Sequence, residues 1–244
     1  MNLHVFDHSS AMSAAAAEWI TEYIEQHLRV KKTFSLLLSG GNTPKELYTL
    51  LANDTFRNRI DWKKIEIFFG DERFVPFDDQ RNNGKMAYDI LLKHVPVPSE
   101  QIHYMPANIS IEASAIQYEK ILHEYFSLEE NTFDLALLGI GNDGHTLSLF
   151  PGSKTIHEQS RWVVPSQAPD EPKQRITLTP WIVNQSECII FLVTGKAKAA
   201  VLEKVIHGEY NPDLYPAQII RDRPKSIHWF ADREAMDEVL KNKE

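Results

Sequence analysis

Residues 34–51, FSLLLSGGNTPKELYTLL, encode a short strand, a glycine turn and the beginning of a helix. Residues 34–38 are apolar except for one serine, which is typical of a strand buried on both faces. A Ser-Gly-Gly-Asn-Thr turn follows, and Pro44 stands at the first position of a helix, which proline favours. This stretch therefore predicts one strand-and-helix unit of an α/β fold.

Similar short apolar runs recur along the chain, and segments with helical periodicity separate them. The runs are LHVF (3–6), IEIFF (65–69), LALLGI (135–140), IIFLV (189–193) and IHWF (227–230). Strands that alternate with helices favour a parallel sheet with helices on both faces.

Two stretches, Phe74 to Gly84 and Ser166 to Gln174, lack a regular pattern and are predicted to be loops. Neither resembles a long flexible linker, and we find no internal repeat. We therefore expect residues 1–244 to form a single α/β domain.

The chain is acidic, because 26 Lys and Arg residues stand against 34 Asp and Glu residues, a formal net charge of −8. This balance argues against a general surface for nucleic acid or anionic membranes. No apolar run approaches the roughly 18 residues that suggest a membrane span, and no signal peptide is evident, so we expect a cytoplasmic protein. The single cysteine, Cys188, excludes an intramolecular disulfide and a zinc ribbon and agrees with a reducing compartment.

The glycine turn at residues 39–43 is a candidate phosphate cradle, since glycines let backbone amides approach a ligand at the start of a helix. It is not a Walker motif, because Lys45 is followed by Glu46 and the glycine spacing differs. The alternative is a tight strand-to-helix turn capped by Thr43.

Three ionisable residues, Asp71, Glu72 and Arg73, follow directly after a predicted buried strand. Ligands of open α/β sheets bind at the carboxyl ends of strands, and the planar guanidinium of Arg73 suits a phosphate or carboxylate. The alternative is a surface ion pair within the turn.

Residues 133–153, FDLALLGIGNDGHTLSLFPGS, place Asp143 and His145 two positions apart in a glycine-rich loop after a strand. Histidine titrates near neutrality and accepts a proton from water or substrate, and a carboxylate beside it would hold one tautomer. The alternative is a structural histidine. A metal site is disfavoured, because the ten histidines show no HExxH or similar ligand spacing.

Further cations follow in QRITLT and LVTGKAKAAVL. Arg175 lies near a strand start, and Lys196 or Lys198 opens a helix after a glycine. Each is a plausible anion contact, although a solvated surface charge is the commoner role.

Taken together, SGGNTP, GDERFVP, GIGNDGHTLSLFPG, QRITLT and VTGKAK, in this order, resemble the 6-phosphogluconolactonase family. The segment PAQIIRDRPKSIHWFAD is similar to the C-terminal part of that family. The resemblance implies a Rossmann-like open, mostly parallel sheet. The superfamily also contains glucosamine-6-phosphate deaminases and ribose-5-phosphate isomerases.

The resemblance implies hydrolysis of 6-phospho-glucono-1,5-lactone to 6-phosphogluconate, in the oxidative pentose phosphate pathway, without metal or organic cofactor. His145 matches the general base, and Asp143 would orient its imidazole. The family spacing of Gly, two variable residues and Lys selects Lys198. The expected phosphate ligands are Ser39, Gly40, Gly41, Asn42, Thr43, Arg73 and Lys198, with Arg175 as a further candidate. The expected partner is a small phosphorylated sugar lactone, and the expected assembly is a monomer or small homo-oligomer.

Two alternatives remain open. A deaminase-like sugar-phosphate isomerase shares the phosphate loop, but deaminases carry a Glu before the Pro-Gly that follows this Asp-Gly-His, where this chain has Phe150. A non-catalytic sugar-phosphate binder would keep the loop and lose the base.

Overall fold

A computed structural model describes residues 2–126, 131–221 and 226–241 of the chain. The strands are Asn2–Phe6 (β1), Phe34–Leu38 (β2), Ile65–Phe69 (β3), Asp71–Arg73 (β4), Leu135–Gly139 (β5), Val163–Gln167 (β6), Gln174–Leu178 (β7), Cys188–Val193 (β8) and Ser226–Asp232 (β9). The α-helices are Ser9–Leu28 (α1), Pro44–Leu51 (α2), Asp54–Arg57 (α3), Asn83–Ile90 (α4), Ile111–Phe126 (α5), Pro180–Val183 (α6), Ala199–His207 (α7) and Asp237–Lys241 (α8).

The main sheet has six strands in the order β1-β9-β8-β5-β2-β3, and its neighbours all pair in parallel. Each apolar run predicted as a strand lies in this sheet. In β2 and β8 every residue is buried, which is expected of parallel strands covered on both faces.

Successive side chains of the sheet enter two separate apolar clusters. Leu37 packs in one cluster with Tyr118 of α5 and Leu202 of α7, while Leu36 packs in the other with Ile20 of α1 and Leu47 of α2. Because neighbouring side chains of a strand point to opposite faces, the two clusters lie on the two faces of the sheet. The predicted parallel sheet with helices on both faces is confirmed.

A second, three-stranded antiparallel sheet in the order β4-β7-β6 was not predicted from the sequence. Both predicted loops are shorter than expected, and the assignments at their ends are wrong. Asn83 and Gly84 begin α4, Ser166 and Gln167 end β6, and Gln174 begins β7. The two edge strands of the small sheet, β4 and β6, contain charged and polar residues, which edge strands tolerate.

The order of the strands places a topological switch between β2 and β5. From β2 the chain continues outward to β3, whereas from β5 it continues in the opposite direction to β8 and β9. The loops after β2 and β5 therefore diverge and leave a crevice, which is where open α/β sheets bind ligands. Within the described ranges, no helix is both long and apolar enough to cross a membrane.

Candidate active site

A cleft of about 440 Å³ opens at the carboxyl ends of β2, β5 and β8. It is lined by Ser39, Gly40, Gly41, Asn42, Thr43, Pro44, Asp71, Arg73, Asn83, Leu138, Gly139, Ile140, Gly141, Asn142, His145, Leu147, Leu192 and Lys198. Eight of the ten predicted site residues are among them, and Asp143 and Arg175 are the two that do not line it.

The loop from Ser39 to Thr43 is held at its start by a buried tyrosine of α2. The Ser39 N–H donates to the Tyr48 hydroxyl at 3.0 Å, and this hydroxyl donates to the Ser39 carbonyl at 2.8 Å. In the described part of the chain, the backbone N–H groups of Gly40, Gly41 and Asn42 donate to no protein acceptor. The loop therefore presents free donors to the cleft, directly before the N-terminus of α2.

Thr43 does not cap α2, so the capping interpretation of this threonine is wrong. It stands at the N-cap position but makes no side-chain capping hydrogen bond, while Pro44 occupies the first turn as predicted. The Thr43 hydroxyl instead lies 3.4 Å from the hydroxyl of Thr194, which follows β8. The phosphate-cradle loop thus contacts the turn that carries Lys198.

The residues Asp71, Glu72 and Arg73 form β4 rather than a turn. Arg73 donates to the Arg81 carbonyl at 2.8 Å and forms no ion pair within the described ranges, so the predicted alternative of a surface pair does not apply there. Glu72 is 3% exposed and accepts the N–H groups of Arg73, Asn83 and Gly84 at 2.7–2.8 Å. Burial raises the pKa of Glu72 to about 7.

Arg175 lies opposite Arg73 in the antiparallel pairing of β4 with β7. It is buried, and its Nε and Nη1 atoms have no hydrogen-bond partner among the residues that the structure describes. Burial, and then the adjacent charge of Arg73, lower the pKa of Arg175. The site therefore has two neighbouring guanidinium groups, of which only Arg73 reaches the cleft wall.

Lys198 ends a short 3-10 helix, Lys196–Lys198, between β8 and α7. It lines the cleft, whereas Lys196 does not. The lysine chosen by the sequence spacing is thus the one at the cleft. Partial burial lowers the pKa of Lys198, although the charge of Asp143 opposes this shift.

His145 and Asp143 form a hydrogen-bonded pair in the loop after β5. The distance from His145 Nδ1 to Asp143 Oδ1 is 2.6 Å, and the same oxygen accepts the His145 backbone N–H at 3.2 Å. Burial opposes ionisation of Asp143, but the hydrogen bond and charge of His145 lower its pKa overall. Because an ionised carboxylate only accepts, it assigns the proton of the neutral imidazole to Nδ1 and leaves Nε2 as a base.

The loop needs Gly141 to accommodate this pair. A Cβ atom at this position would lie 2.1 Å from His145 Nδ1 and 2.5 Å from Asp143 Oδ1. The Phe150 ring centroid is 4.7 Å from the His145 ring centroid. The imidazole therefore contacts both the Gly141 backbone and an aromatic ring.

Three polar residues of the cleft wall, Asp71, Asn83 and Asn142, were not among the predicted site residues. Asp71 accepts the Ser148 hydroxyl at 2.6 Å, and Asn83 donates to the Asp71 carbonyl at 3.0 Å. The Asn83 amide packs on Gly40, where a Cβ atom would lie 2.1 Å from its Oδ1. Asp71 could have been predicted, because it belongs to the charged triplet of residues 71–73 that was noted in the sequence. Nothing near Asn83 in the sequence indicates that α4 begins at the cleft. No group of three His, Cys, Asp or Glu side chains in the described residues could hold a metal ion.

The family model described as glucosamine-6-phosphate isomerases/6-phosphogluconolactonase matches residues 7–229. The 6-phosphogluconolactonase of Synechocystis is 36% identical over 220 residues, which cover 88% of this chain and 89% of that protein. The 6-phosphogluconolactonase of Mycobacterium leprae is 32% identical over 246 residues, or 98% of each chain.

This chain belongs to the glucosamine-6-phosphate isomerase/6-phosphogluconolactonase family.

The membership confirms the family predicted from the motifs, and it holds at the level of structure. The crystal structure of 6-phosphogluconolactonase from Thermotoga maritima matches with a TM-score of 0.82 at 29% identity, covering 95% of this chain and 99% of that one. The chain therefore shares the overall fold of that structure over nearly its whole length.

Proposed function

We propose that this family member hydrolyses 6-phospho-D-glucono-1,5-lactone to 6-phospho-D-gluconate, with His145 as general base. The observation that carries the proposal is the presence, in one cleft, of an imidazole oriented by a carboxylate and a loop with free backbone donors. The names of the relatives in Synechocystis and Mycobacterium leprae support the same activity.

The phosphate of the substrate would bind at the end of the cleft formed by the loop after β2. Free N–H groups of Gly40, Gly41 and Asn42, the α2 N-terminus and the side chains of Arg73 and Lys198 all favour a dianion there. The phosphate is remote from the reacting carbon, so its binding energy serves to position the carbonyl near His145.

In the chemical step, His145 Nε2 removes a proton from water while the water oxygen attacks the lactone carbonyl carbon. The tetrahedral intermediate then collapses, the bond between this carbon and the ring oxygen breaks, and the imidazolium returns its proton to the ring oxygen. Asp143 stabilises the imidazolium through the 2.6 Å hydrogen bond to Nδ1. General-base catalysis of this kind contributes roughly 10² to 10⁴ in rate.

Arg175 is proposed to act through charge. Its buried guanidinium lies beside Arg73 and outside the cleft wall, so a bound dianion would be stabilised by both cations while it contacts Arg73. Burying the Arg175 guanidinium without a hydrogen-bonded partner lowers the stability of the fold. This cost agrees with a role in stabilising a bound phosphate.

The alternative of a deaminase-like isomerase is disfavoured by Phe150. Its ring packs on His145, at the position before Pro151 where the deaminases carry a Glu. A phenyl ring neither donates nor accepts a proton, so the carboxylate required for ring opening is missing from this position.

We propose further that residues 1–244 act as one domain, since β1 and β9 come from opposite ends of the chain and pair with each other. A cytoplasmic location, within the pentose phosphate pathway, is proposed because the single cysteine, Cys188, cannot form an intramolecular disulfide, which agrees with a reducing compartment. The proposed assembly is a monomer or small homo-oligomer, and no nucleic acid or membrane is required.

The test is the rate of proton release after fresh lactone is added in weak buffer, corrected for spontaneous hydrolysis. Wild type should accelerate release, and His145→Ala should lose about 10² to 10⁴ of kcat while still binding 6-phosphogluconate. His157→Ala is a matched control, because His157 forms a pair with Asp213 at 2.7 Å outside the cleft. Unchanged turnover in His145→Ala would refute the proposed base, and no acceleration by wild type would refute the lactonase activity.

A further inference from the structure

The turn that carries Lys198 is attached to the end of β9 by a buried carboxylate. Asp232, the last residue of β9, is 5% exposed, and both its oxygens lie 3.0 Å from the backbone nitrogen of Gly195. We propose that Asp232 is a positioning residue that fixes Lys198 for phosphate binding, an inference that rests on the proposed function.

The Asp232 carboxylate accepts hydrogen bonds from backbone N–H groups and does not pair with a cation in the described residues. Besides Gly195, its Oδ1 accepts the Ala235 N–H at 2.8 Å, and no ion pair of Asp232 occurs within residues 2–126, 131–221 and 226–241. A hydrogen bond to an ionised carboxylate is shorter and stronger than one between neutral groups. The carboxylate therefore acts as a rigid support for one backbone position.

The position of Gly195 determines that of Lys198. Gly195 has φ of 88°, in the region that favours glycine, and its carbonyl accepts the Lys198 N–H at 3.0 Å. The intervening residues form a single 3-10 turn. A shift of the Gly195 backbone would consequently be passed to the Lys198 side chain at the cleft.

The same turn also contacts the phosphate-cradle loop, through the hydroxyls of Thr194 and Thr43 at 3.4 Å. Asp232 thus supports a segment that contributes to the anion site by two routes, one through Lys198 and one through Thr43. Asp232 itself does not line the cleft, so its effect on substrate would be indirect.

The experiment compares Asp232→Asn with wild type on the phosphorylated lactone and on unphosphorylated glucono-1,5-lactone. Asparagine keeps one acceptor but turns an NH₂ group toward the Gly195 or Ala235 N–H. We expect KM for the phosphorylated lactone to rise about tenfold, the change that corresponds to one weakened charged contact. We expect kcat, and the rate with the unphosphorylated lactone, to stay within about twofold.

Asp134→Asn is the stability control, since Asp134 is also a buried carboxylate that accepts a backbone N–H, from Ser35 at 2.8 Å, and it additionally pairs with Lys31. It stands immediately before β5, at the edge of the sheet away from the cleft. A general loss of stability would affect both variants, whereas a selective change of KM for the phosphorylated substrate would follow only from Asp232→Asn.

If Asp232→Asn does not fold, Gly195→Ala is a second variant that disturbs the same turn without changing Asp232. An added Cβ meets no atom within 4 Å, so only the backbone conformation is disturbed. The same rise of KM is expected, and Asp232→Asn should have a smaller effect in a Lys198→Met background, where only the route through Thr43 remains.

Calorimetric binding of 6-phosphogluconate separates the two hypotheses. If wild type binds this product but does not accelerate hydrolysis, the proposed function fails, and weaker binding by Asp232→Asn would still support the positioning role. A folded Asp232→Asn or Gly195→Ala variant with unchanged KM and unchanged product binding would overturn that role.

Discussion

In the six-stranded sheet, the edge formed by the amino ends of the strands differs from the edge formed by their carboxyl ends in how charged side chains are paired. At the edge where the parallel strands begin, Lys31 pairs with Asp134 and Glu187, and Glu187 also lies 3.4 Å from His27. Asp134 additionally accepts the Ser35 N–H and hydroxyl at 2.8 and 3.0 Å. This edge is a closed network of opposite charges.

At the carboxyl edge, Arg73 and Lys198 line the cleft without a carboxylate partner in the described ranges, and two nitrogens of Arg175 lack any partner. The buried carboxylates there, Glu72 and Asp232, are bound to backbone N–H groups instead. The cations that line the cleft are therefore left without carboxylate partners at the place where we propose that the substrate phosphate binds, whereas the charges around Lys31 neutralise one another.

The largest expected effect is that of Asp143→Asn, which removes the carboxylate partner of His145. Asparagine can stabilise the wrong imidazole tautomer, so kcat should fall by about 10² to 10⁴ with little change in KM. Steady-state proton release measures both constants. Asp213→Asn, in the exposed His157 pair, should leave kcat unchanged. A fall of less than about threefold for Asp143→Asn would show that the pair does not orient the base.

Glu72→Gln should alter the pH dependence of stability. The folded protein holds the Glu72 proton up to about pH 7, whereas the unfolded chain releases it near 4.5. The free energy of unfolding contributed by Glu72 is therefore greatest below pH 4.5 and is lost as the pH rises through 7, by about 3 kcal/mol. Urea unfolding of both proteins between pH 4.5 and 8 should show a shallower decline for the variant, and parallel curves would contradict the prediction.

Lys198→Met tests an unpaired lysine of the carboxyl edge. KM for the phosphorylated lactone should rise by about ten- to thirtyfold, equivalent to about 1.4 to 2 kcal/mol of lost anion binding, with thermal stability unchanged or slightly increased. The rate with unphosphorylated lactone should not change. If Lys198→Met lowered the free energy of unfolding as much as Lys31→Met, which removes a paired lysine, the proposed contrast between the two edges would be wrong.

Lys31→Met is the corresponding change at the amino edge and has the smallest expected effect. It removes the Lys31 ammonium from Asp134 and Glu187, but Lys31 is 41% exposed, so about 1 kcal/mol of stability should be lost. The values of kcat and KM should match those of wild type. Urea denaturation and lactone kinetics on the same preparation check both statements.

The strands of the main sheet could be predicted because each is a short, largely apolar run, and central strands such as Phe34–Leu38 and Cys188–Val193 are buried on both faces. The small antiparallel sheet could not, because Asp71–Arg73 is charged and Val163–Gln167 contains Pro165, which an edge strand tolerates but a pattern search does not favour. Its pairing comes from tertiary contacts.

The cleft was predictable where a motif follows a strand, as for the loop after β2, His145 and Lys198. Long-range partners were not predictable from spacing. Asn83 reaches the cleft because Glu72 binds the start of α4, and Asp232 lies 37 residues from Gly195. Arg175 was recognised as a possible anion contact, but its place behind Arg73 depends on the β4–β7 register.

The pairing of β1 with β9 has a consequence for synthesis on the ribosome. Residues 2–6 are translated early, yet their sole neighbour in the sheet, residues 226–232, emerges only when nearly the whole chain has been made. The nascent protein must carry an unpaired strand throughout elongation, and Asp232 reaches Gly195 at the same late moment. A chain truncated before residue 226 would therefore lack both the sheet partner of β1 and the Asp232 carboxylate that supports the proposed phosphate site. The exposed strand would make such a chain prone to aggregation or degradation.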